Sequence, residues 1–392
     1  MIKYPESVKK IAKILADAGF RAYAVGGCIR DSVMGKQPND WDMTTSARPD
    51  DMLAVFDAAG VRTIPTGLKH GTVTVLMDGQ GFECTSFRID GSYTDSRHPD
   101  KVTFTSDVAE DLKRRDFTVN AMAGDPLADE NGIIDLFGGR EDIEKGVIRC
   151  VGQAEIRFGE DALRILRAVR FASVLGFEID QQTKSAAVTK RDGLASVSAE
   201  RKKTELEKTL LSDNADAGVS LLFELGLAEL VHPDLKPPCV RLSSLPKSFT
   251  CRLAALFGCD TQPCLSSMKL SRLEEKQIKL YCSKQPYFDG LSDKNARRLL
   301  SVLGECAEGA AMLRGNATLA SLIADERAKK PPICIADLAV NGNEVISAGV
   351  PPRAVGEVMS SLLSLVIDEP SLNAKDTLLA HAKRIYKEII GE

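Results

Sequence analysis

Aromatic residues make up only 5% of this 392-residue chain, with a single Trp, and histidine occurs four times, at 70, 98, 232 and 381. So few rings, beside abundant Leu and Ala, favour helices over a large β structure. The ten cysteines are scattered from Cys28 to Cys334 with no C-x-x-C pair, and they lack His partners at zinc-like spacing. That excludes a zinc ribbon and argues against a disulfide framework; buried thiols in a reducing cytoplasm fit better. No run of eighteen apolar residues occurs, so no membrane helix is expected. The first residues carry an amphipathic pattern with no apolar core or cleavage site of a signal peptide. A net charge of −4 excludes a globally basic nucleic-acid binder. It leaves room for a local one: Lys236 to Arg298 holds twelve Lys/Arg against five Asp/Glu. The length predicts two to four domains.

What is present is organised around Tyr23–Thr45, YAVGGCIRDSVMGKQPNDWDMTT. An apolar run, Tyr23-Ala24-Val25, reads as a buried strand. Gly26 and Gly27 then lead into a short helix over Cys28–Met34. Glycines between strand and helix let a phosphate approach the backbone, and the helix start offers unpaired N–H groups. Arg30, one turn in, can add a bidentate clamp. After Gly35 and Pro38, Asp40-Trp41-Asp42-Met43-Thr44 reads as a strand, with Asp40 and Asp42 on one face and Trp41 on the other. Two carboxylates side by side repel unless a cation joins them, and oxygen ligands completed by phosphates suit Mg²⁺. Each half alone is weak, since Gly-Gly is commonly a plain turn and nearby aspartates are commonly solvated. Together they point to phosphoryl or nucleotidyl transfer with two metals.

Residues 6–18 place Val8, Ile11, Ala12 and Leu15 on one helical face, and Pro49 opens a second helix that Gly60 ends. Strands over Gly71–Met77 and Phe82–Arg88 flank the hairpin signal Asp78-Gly79-Gln80-Gly81. Alternation puts Glu83 on one face with Thr85 and Phe87, as a third carboxylate or an exposed strand Glu. Residues 90–106 have turn residues, charge and little periodicity, the pattern of a mobile loop. Asp116 and Asn120, four apart, could present an acceptor and an amide to a ribose from one helical turn, with Arg114 and Arg115 offering charge. A helix cap with solvated arginines is the plainer alternative. From Glu160 the period is helical, with Asp161, Arg164, Arg167 and Arg170 forming a polar stripe.

GGCIRD…DWDMTT resembles the nucleotidyltransferase signature of the tRNA CCA-adding and bacterial poly(A) polymerase family, in its class II form. ECTSFRID resembles its third-carboxylate strand, RRDFTVN its ribose motif, and EDALRILRAVRFASVLGF its base-recognition helix. The resemblance implies an α+β fold: a nucleotidyltransferase head with a mixed β-sheet and helices (1–150), pivoting at Gly138-Gly139. An all-α neck (151–235) and a helical body and tail that bind tRNA (236–392) follow. It implies catalytic Asp40, Asp42 and Glu83, with Asp40 and Asp42 holding Mg²⁺. Nucleotide contacts fall to Gly26, Gly27, Arg30, Arg115, Asp116, Asn120, Asp161, Arg164, Arg167 and Arg170. The implied reaction is template-independent addition of C, C and A to the tRNA 3′ end from CTP and ATP, in the cytoplasm and without a membrane. The 90–106 loop resembles the family's nucleotide-switching loop, and its completeness favours addition of the terminal A. Pro65–Thr72 resembles the CCA-adding form over the poly(A) form, though CC-only and poly(A) products remain alternatives, and a silent RNA-binding fold a remote one. No His-Asp dipeptide occurs, so the phosphohydrolase domain of some relatives is absent.

Cytosine and adenine both show an amine donor beside an unprotonated ring nitrogen, whereas uracil and guanine show carbonyl then N–H. Asp161 and Arg164, at i and i+3, could accept from the amine and donate to the ring nitrogen. A mismatched base would leave buried polar groups unpaired, at about 1–3 kcal/mol each. Ser198–Leu210, SAERKKTELEKTL, resembles a structural motif of the family and receives no chemistry.

Overall fold

Val8, Ile11, Ala12 and Leu15 recur at the helical period, and all four are buried on one face of α1 (Glu6–Asp17). The large ones each contribute about 2 kcal/mol by leaving water. The computed structural model describes residues 2–91, 102–128 and 132–390. It divides into two compact units, Met1–Pro233 and Asp234–Glu392.

The first unit is built on a seven-stranded mixed sheet whose strands, in spatial order, are Thr63–Gly67, Thr72–Met77, Gln80–Ser86, Met43–Thr45, Ala22–Val25, Met122–Gly124 and Ile133–Asp135. In chain order, β1 (Ala22–Val25) runs into α2 (Gly27–Val33), β2 (Met43–Thr45) and α3 (Pro49–Ala58). Next come β3 (Thr63–Gly67), β4 (Thr72–Met77) and β5 (Gln80–Ser86). A separate two-stranded ribbon pairs β6 (Arg88–Asp90) with β7 (Val102–Phe104), and α4 (Val108–Lys113) follows. The sheet closes with β8 (Met122–Gly124) and β9 (Ile133–Asp135). The β4–β5 turn is two residues, with Asp78 at φ 51° and Gly79 at φ 79°, the left-handed pair that fits strand twist. One sheet face and helices α1 and α3 bury Val8, Leu15, Met43, Met52, Phe56, Val73, Val75 and Cys84. Along β5 the core takes Phe82, Cys84 and Ser86, which leaves Glu83 and Thr85 toward the opposite face.

Beyond the sheet, α5 (Gly139–Lys145), β10 (Val147–Ile148), α6 (Ala154–Glu160) and α7 (Leu163–Leu175) lead on. β11 (Glu178–Ile179) pairs in parallel with β10, and α8 (Gln181–Lys190), α9 (Ala199–Leu210), α10 (Ala215–Glu224) and α11 (Ala228–Val231) complete the unit. A Cβ on Gly139 would lie 2.4 Å from the Thr118 carbonyl oxygen, so the expected pivot is a close-packed contact.

Helices also build the second unit: α12 (Phe249–Phe257), α13 (Arg272–Cys282), α14 (Asp293–Leu303), α15 (Ala307–Leu313), α16 (Ala317–Ala328), α17 (Gly342–Ser347), α18 (Val355–Asp368) and α19 (Lys375–Ile390). All of α12 is buried. Two of the twelve cations expected on a basic surface are internal: Arg252 is buried, and buried Arg297 pairs with Glu326 at 3.0 Å. Lys236, Arg241, Lys247, Lys269, Arg272, Lys276, Lys279, Lys284 and Lys294 are exposed.

Four local expectations are corrected. The Asp40–Thr44 strand begins only at Met43; Asp40 and Asp42 lie in the segment leading into it, pinned where the Val25 N–H donates to the Asp42 carbonyl at 2.9 Å. Part of the 90–106 loop is strand, since Val102–Phe104 pairs with Arg88–Asp90; residues 92–101, including Tyr93, Asp95, Arg97 and Pro99, lie outside the described residues. Asp116 precedes the short 3-10 turn Thr118–Asn120 and does not share a helical turn with Asn120. The helix expected from Glu160 is broken: α6 ends, Asp161 is extended (φ −146°, ψ 102°), and α7 starts at Leu163.

Candidate functional site

A parallel register brings the carboxylates together. In β2 and β5, Met43 lies opposite Cys84 and Thr44 opposite Thr85, so one residue earlier Asp42 falls beside Glu83. Trp41 turns to the other side and packs on Tyr4, ring centroids 5.5 Å apart. Asp40, Asp42 and Glu83 are all exposed on the open side. Partial desolvation, then the negative charges of Glu83 and Asp40, raise the Asp42 pKa above its ordinary value; Arg115 partly offsets this. The site therefore resists its own negative charge, the condition that a cation relieves. Among the described residues no group of three or more His, Cys, Asp or Glu could hold a metal by itself. Any cation here would complete its shell with oxygens from elsewhere, which matches the habit of Mg²⁺ in phosphate chemistry.

Beside the carboxylates lies the glycine turn. Gly26 has φ 79° and ψ −127°, a conformation essentially confined to glycine, and Gly27 opens α2. A Cβ on Gly26 would lie 3.2 Å from Arg115 Nη1. The Arg115 Nε is buried and has no hydrogen-bond partner among the described residues. An unsatisfied guanidinium donor over a glycine turn fits an anion. Arg115 is steered there by Asp111, which is fully buried and accepts from Arg115 Nη2 at 3.3 Å, from Arg114 Nε at 2.9 Å and from Thr44 Oγ1 at 3.2 Å. The pairing holds Asp111 below the usual carboxylate range despite its burial.

Arg30 is committed differently from the expected open clamp. It is buried, donates to Asn120 Oδ1 at 2.6 Å and to Asp31 Oδ1 at 2.9 and 2.8 Å, and lies 5.4 Å from the Phe171 ring. Asn120 in turn donates to Asp116 Oδ1 at 3.3 Å, so the two expected ribose residues do meet. Asp116 also accepts from the Phe117 N–H and from Arg167 Nε at 2.8 Å. Burial alone would raise its pKa, but Arg167 outweighs this and lowers it to about 2.

The arginine stripe is not a solvated face. Arg164 donates to Glu160 Oε2 at 2.6 Å and to the carbonyls of Arg157 and Arg114, both at 3.1 Å. Arg170 is buried against Phe171 at 3.9 Å and faces Glu205 at 3.0 Å, while Arg167 lies 5.3 Å from the same ring. Burial and the neighbouring Arg167 lower the Arg170 pKa to about 10. The Asp161 Oδ1 accepts from the Leu163 N–H at 3.0 Å, which starts α7, and Oδ2 accepts from Arg201 at 2.7 Å. Asp111, Glu160, Arg201 and Glu205 escaped the sequence reading. The Asp111–Arg115 spacing of four was a visible signal; Arg201 and Glu205, at 40 and 35 residues from their partners in sequence, gave none.

Residues 22–149 match the family described as Poly A polymerase head domain, and 176–238 match the probable RNA and SrmB-binding site of polymerase A. The CCA-adding enzyme of Lactiplantibacillus plantarum is 33% identical over 97% of this chain and 96% of its own. That of Geobacillus thermodenitrificans is 50% identical over 54% of this chain and 50% of its own. The crystal structure of the Bacillus stearothermophilus CCA-adding enzyme in complex with CTP superposes with a TM-score of 0.81 at 32% identity, covering 99% of this chain and 100% of that one.

Proposed function

The chain belongs to the bacterial class II CCA-adding enzymes, a family of nucleotidyltransferases, and from that premise we propose how its own residues carry the reaction. The enzyme extends the 3′ end of tRNA with C, C and A from CTP and ATP, without a nucleic-acid template. At each step the terminal 3′ oxygen bonds to the α-phosphorus, the bond to the β-phosphate bridge breaks, pyrophosphate leaves and the hydroxyl proton is lost. Family members normally use divalent metals; we assign Mg²⁺, held by Asp40 and Asp42, where it would stabilise charge on the attacking and leaving oxygens. Exposed carboxylate oxygens and an Asp42 whose ionisation its neighbours oppose support that fit.

Glu83, next to Asp42 through the β2–β5 register, is the third carboxylate, as a ligand or as the base that receives the proton. Gly26, Gly27 and Arg115 take the triphosphate, with Arg30 bracing the turn from below through Asn120. Asp116 and Asn120 address the ribose. Asp161 and Arg164 read the base: an ionised carboxylate has about four acceptor positions, so two hydrogen bonds already made leave capacity for an amine. Arg167 and Arg170 shape the floor of that pocket around Phe171. We place the nucleotidyltransferase head at 1–150, the neck at 151–235 and a tRNA-positioning body and tail at 236–392, whose exposed Lys and Arg suit phosphate contacts. No described helix is long and apolar enough to cross a membrane; a tRNA substrate supports a cytoplasmic site of action.

The observation that carries this assignment is the parallel register that sets Asp42 beside Glu83. Incubating the enzyme with tRNA lacking its CCA end, labelled CTP and ATP, and Mg²⁺ tests it. A product three nucleotides longer is expected; growth by two, or an A tail, reassigns the product, and no incorporation refutes the catalytic reading.

A further inference from the structure

Asp161 and Arg164 lie one turn apart, the Arg164 N–H donating to the Asp161 carbonyl at 3.0 Å, so a carboxylate and a guanidinium assigned to one base face a competing fate, which is to bind each other. The side chains of Asp161 and Arg164 are instead bonded outward. Arg164 is taken by Glu160 and two backbone carbonyls, and Asp161 by the Leu163 N–H and Arg201. Arg201 stands on α9, in the Ser198–Leu210 stretch that received no chemistry, 40 residues further along the chain. The pair is largely sheltered, with side-chain exposures of 23% for Arg201 and 15% for Asp161. Shelter strengthens the attraction and fixes the direction of the carboxylate plane.

We propose that Arg201 is a positioning residue for nucleotide selection: it gives Asp161 a partner outside the reading pair, so that Asp161 and Arg164 face a nucleobase and not each other. This rests on the base-reading assignment above. Without Arg201, Asp161 loses its outward anchor and turns to the guanidinium three residues on. Its acceptor lone pairs are then spent, and the amine of cytosine or adenine is no longer distinguished from a carbonyl. Arg201 touches neither substrate nor metal in this account and acts through Asp161.

The test compares Arg201→Met, Arg201→Lys and Asp161→Asn with wild type. The readouts are kcat/KM for CTP against UTP on tRNA ending at its discriminator base, and for ATP against GTP on tRNA ending in CC. Arg201→Met is expected to lower both ratios about tenfold or more, mostly through nucleotide KM, with tRNA affinity unchanged. Arg201→Lys, which keeps the charge and one hydrogen bond, is expected to recover most of the ratio. A CTP analogue lacking the exocyclic amine supplies the reading that a merely structural role would not move. Wild type discriminates against it, and Arg201→Met discriminates far less. If Arg201→Met does not fold, Arg201→Gln is read by the same ratios. Wild-type ratios in a folded Met or Gln variant, with Asp161→Asn having lost them, overturn the role of Arg201 alone. Wild-type ratios in Asp161→Asn overturn the base-reading assignment itself.

Discussion

Gly26→Ala isolates what the glycine turn contributes. At φ 79° and ψ −127° an L side chain is strained, at about 1–3 kcal/mol. The new methyl would also lie 3.2 Å from Arg115 Nη1 and 3.8 Å from the Asn120 carbonyl oxygen. The first contact is tight, so Arg115 must retreat by a few tenths of an ångström from the turn it covers. Two responses are open to the protein. It can keep the turn and hold the strain, which lowers stability by about 1–3 kcal/mol while activity survives. Or the turn can relax, which spares stability and misplaces the proposed phosphate donors, lowering kcat/KM roughly five- to a hundredfold. The two losses are shares of one energy, so their sum is the quantity to measure. Denaturant unfolding gives the first, and single-nucleotide incorporation from CTP and from ATP gives the second. Both nucleotides carry the same triphosphate, so their efficiencies should fall together and the CTP/UTP ratio should stay put. A variant with wild-type stability and wild-type efficiency for both nucleotides would refute the strained-turn argument. A change in base preference would place Gly26 in the wrong part of the site.

Asp40→Ala or Asp42→Ala should abolish incorporation of both CTP and ATP while tRNA binding stays close to wild type. Turnover of either above about a twentieth of wild type in Mg²⁺ would contradict the proposal that they are metal ligands. Asp116, with its pKa lowered to about 2 in the fold, contributes stability that is present above the ordinary carboxylate range and lost as pH falls from about 4 toward 2. Asp116→Asn should therefore cost about 2–4 kcal/mol near neutral pH, and the gap to wild type in urea unfolding should narrow across that window; a gap independent of pH would count against the ion pair. In the second unit, Glu326→Gln strips the countercharge from buried Arg297 and should cost about 3–5 kcal/mol. Replacing both by apolar residues should cost less than the sum of the two single changes, even though the Ile367 and Asp368 carbonyls then lose the donor that Arg297 supplies; an additive loss would speak against their coupling.

How far the sequence could be read depended on where each residue's partner lies. The amphipathic face of α1, the glycine turn and the Asp78-Gly79 hairpin are decided within a few residues, and each forms where its pattern puts it. Glu83 could be nominated because strand alternation is local; its place beside Asp42 needed the parallel pairing of β2 with β5, which no local pattern states. The Asp161 break was hidden for the opposite reason. Glu160-Asp161-Ala162-Leu163 holds no Gly or Pro, so a helix was the natural reading. Yet Asp161 caps the Leu163 N–H, a local side-chain bond that competes with helix continuation, and Arg201 secures it from α9. The arginines at 164, 167 and 170 showed only as a polar stripe, because Asp116 and Glu205, which bind two of them, are distant in sequence. Residue types that carry chemistry announce themselves; the counter-ions that aim them do not.

That hidden layer decides the outcome of the most direct attempt to rewrite specificity. On the hydrogen-bond pattern alone, the exchange Asp161→Arg with Arg164→Asp should turn a reader of C and A into a reader of U and G. The counter-ions do not move with it. The first change sets a guanidinium against Arg201, where Asp161 now sits at 2.7 Å, and the second sets a carboxylate against Glu160, where Arg164 now sits at 2.6 Å. Like charges about 4 Å apart in a partly buried site repel by about 4 kcal/mol per pair before relaxation, more than the about 2 kcal/mol that a reversed base edge could return. The double exchange is therefore expected to be inactive or poorly folded, with no gain for UTP or GTP. Adding Glu160→Arg and Arg201→Glu restores an opposite charge to each member and should raise the UTP/CTP and GTP/ATP efficiency ratios above wild type, measured on tRNA ending at the discriminator base and at CC. A double exchange that reverses selectivity by itself would show that the outward ion pairs do not govern the proposed reading pair.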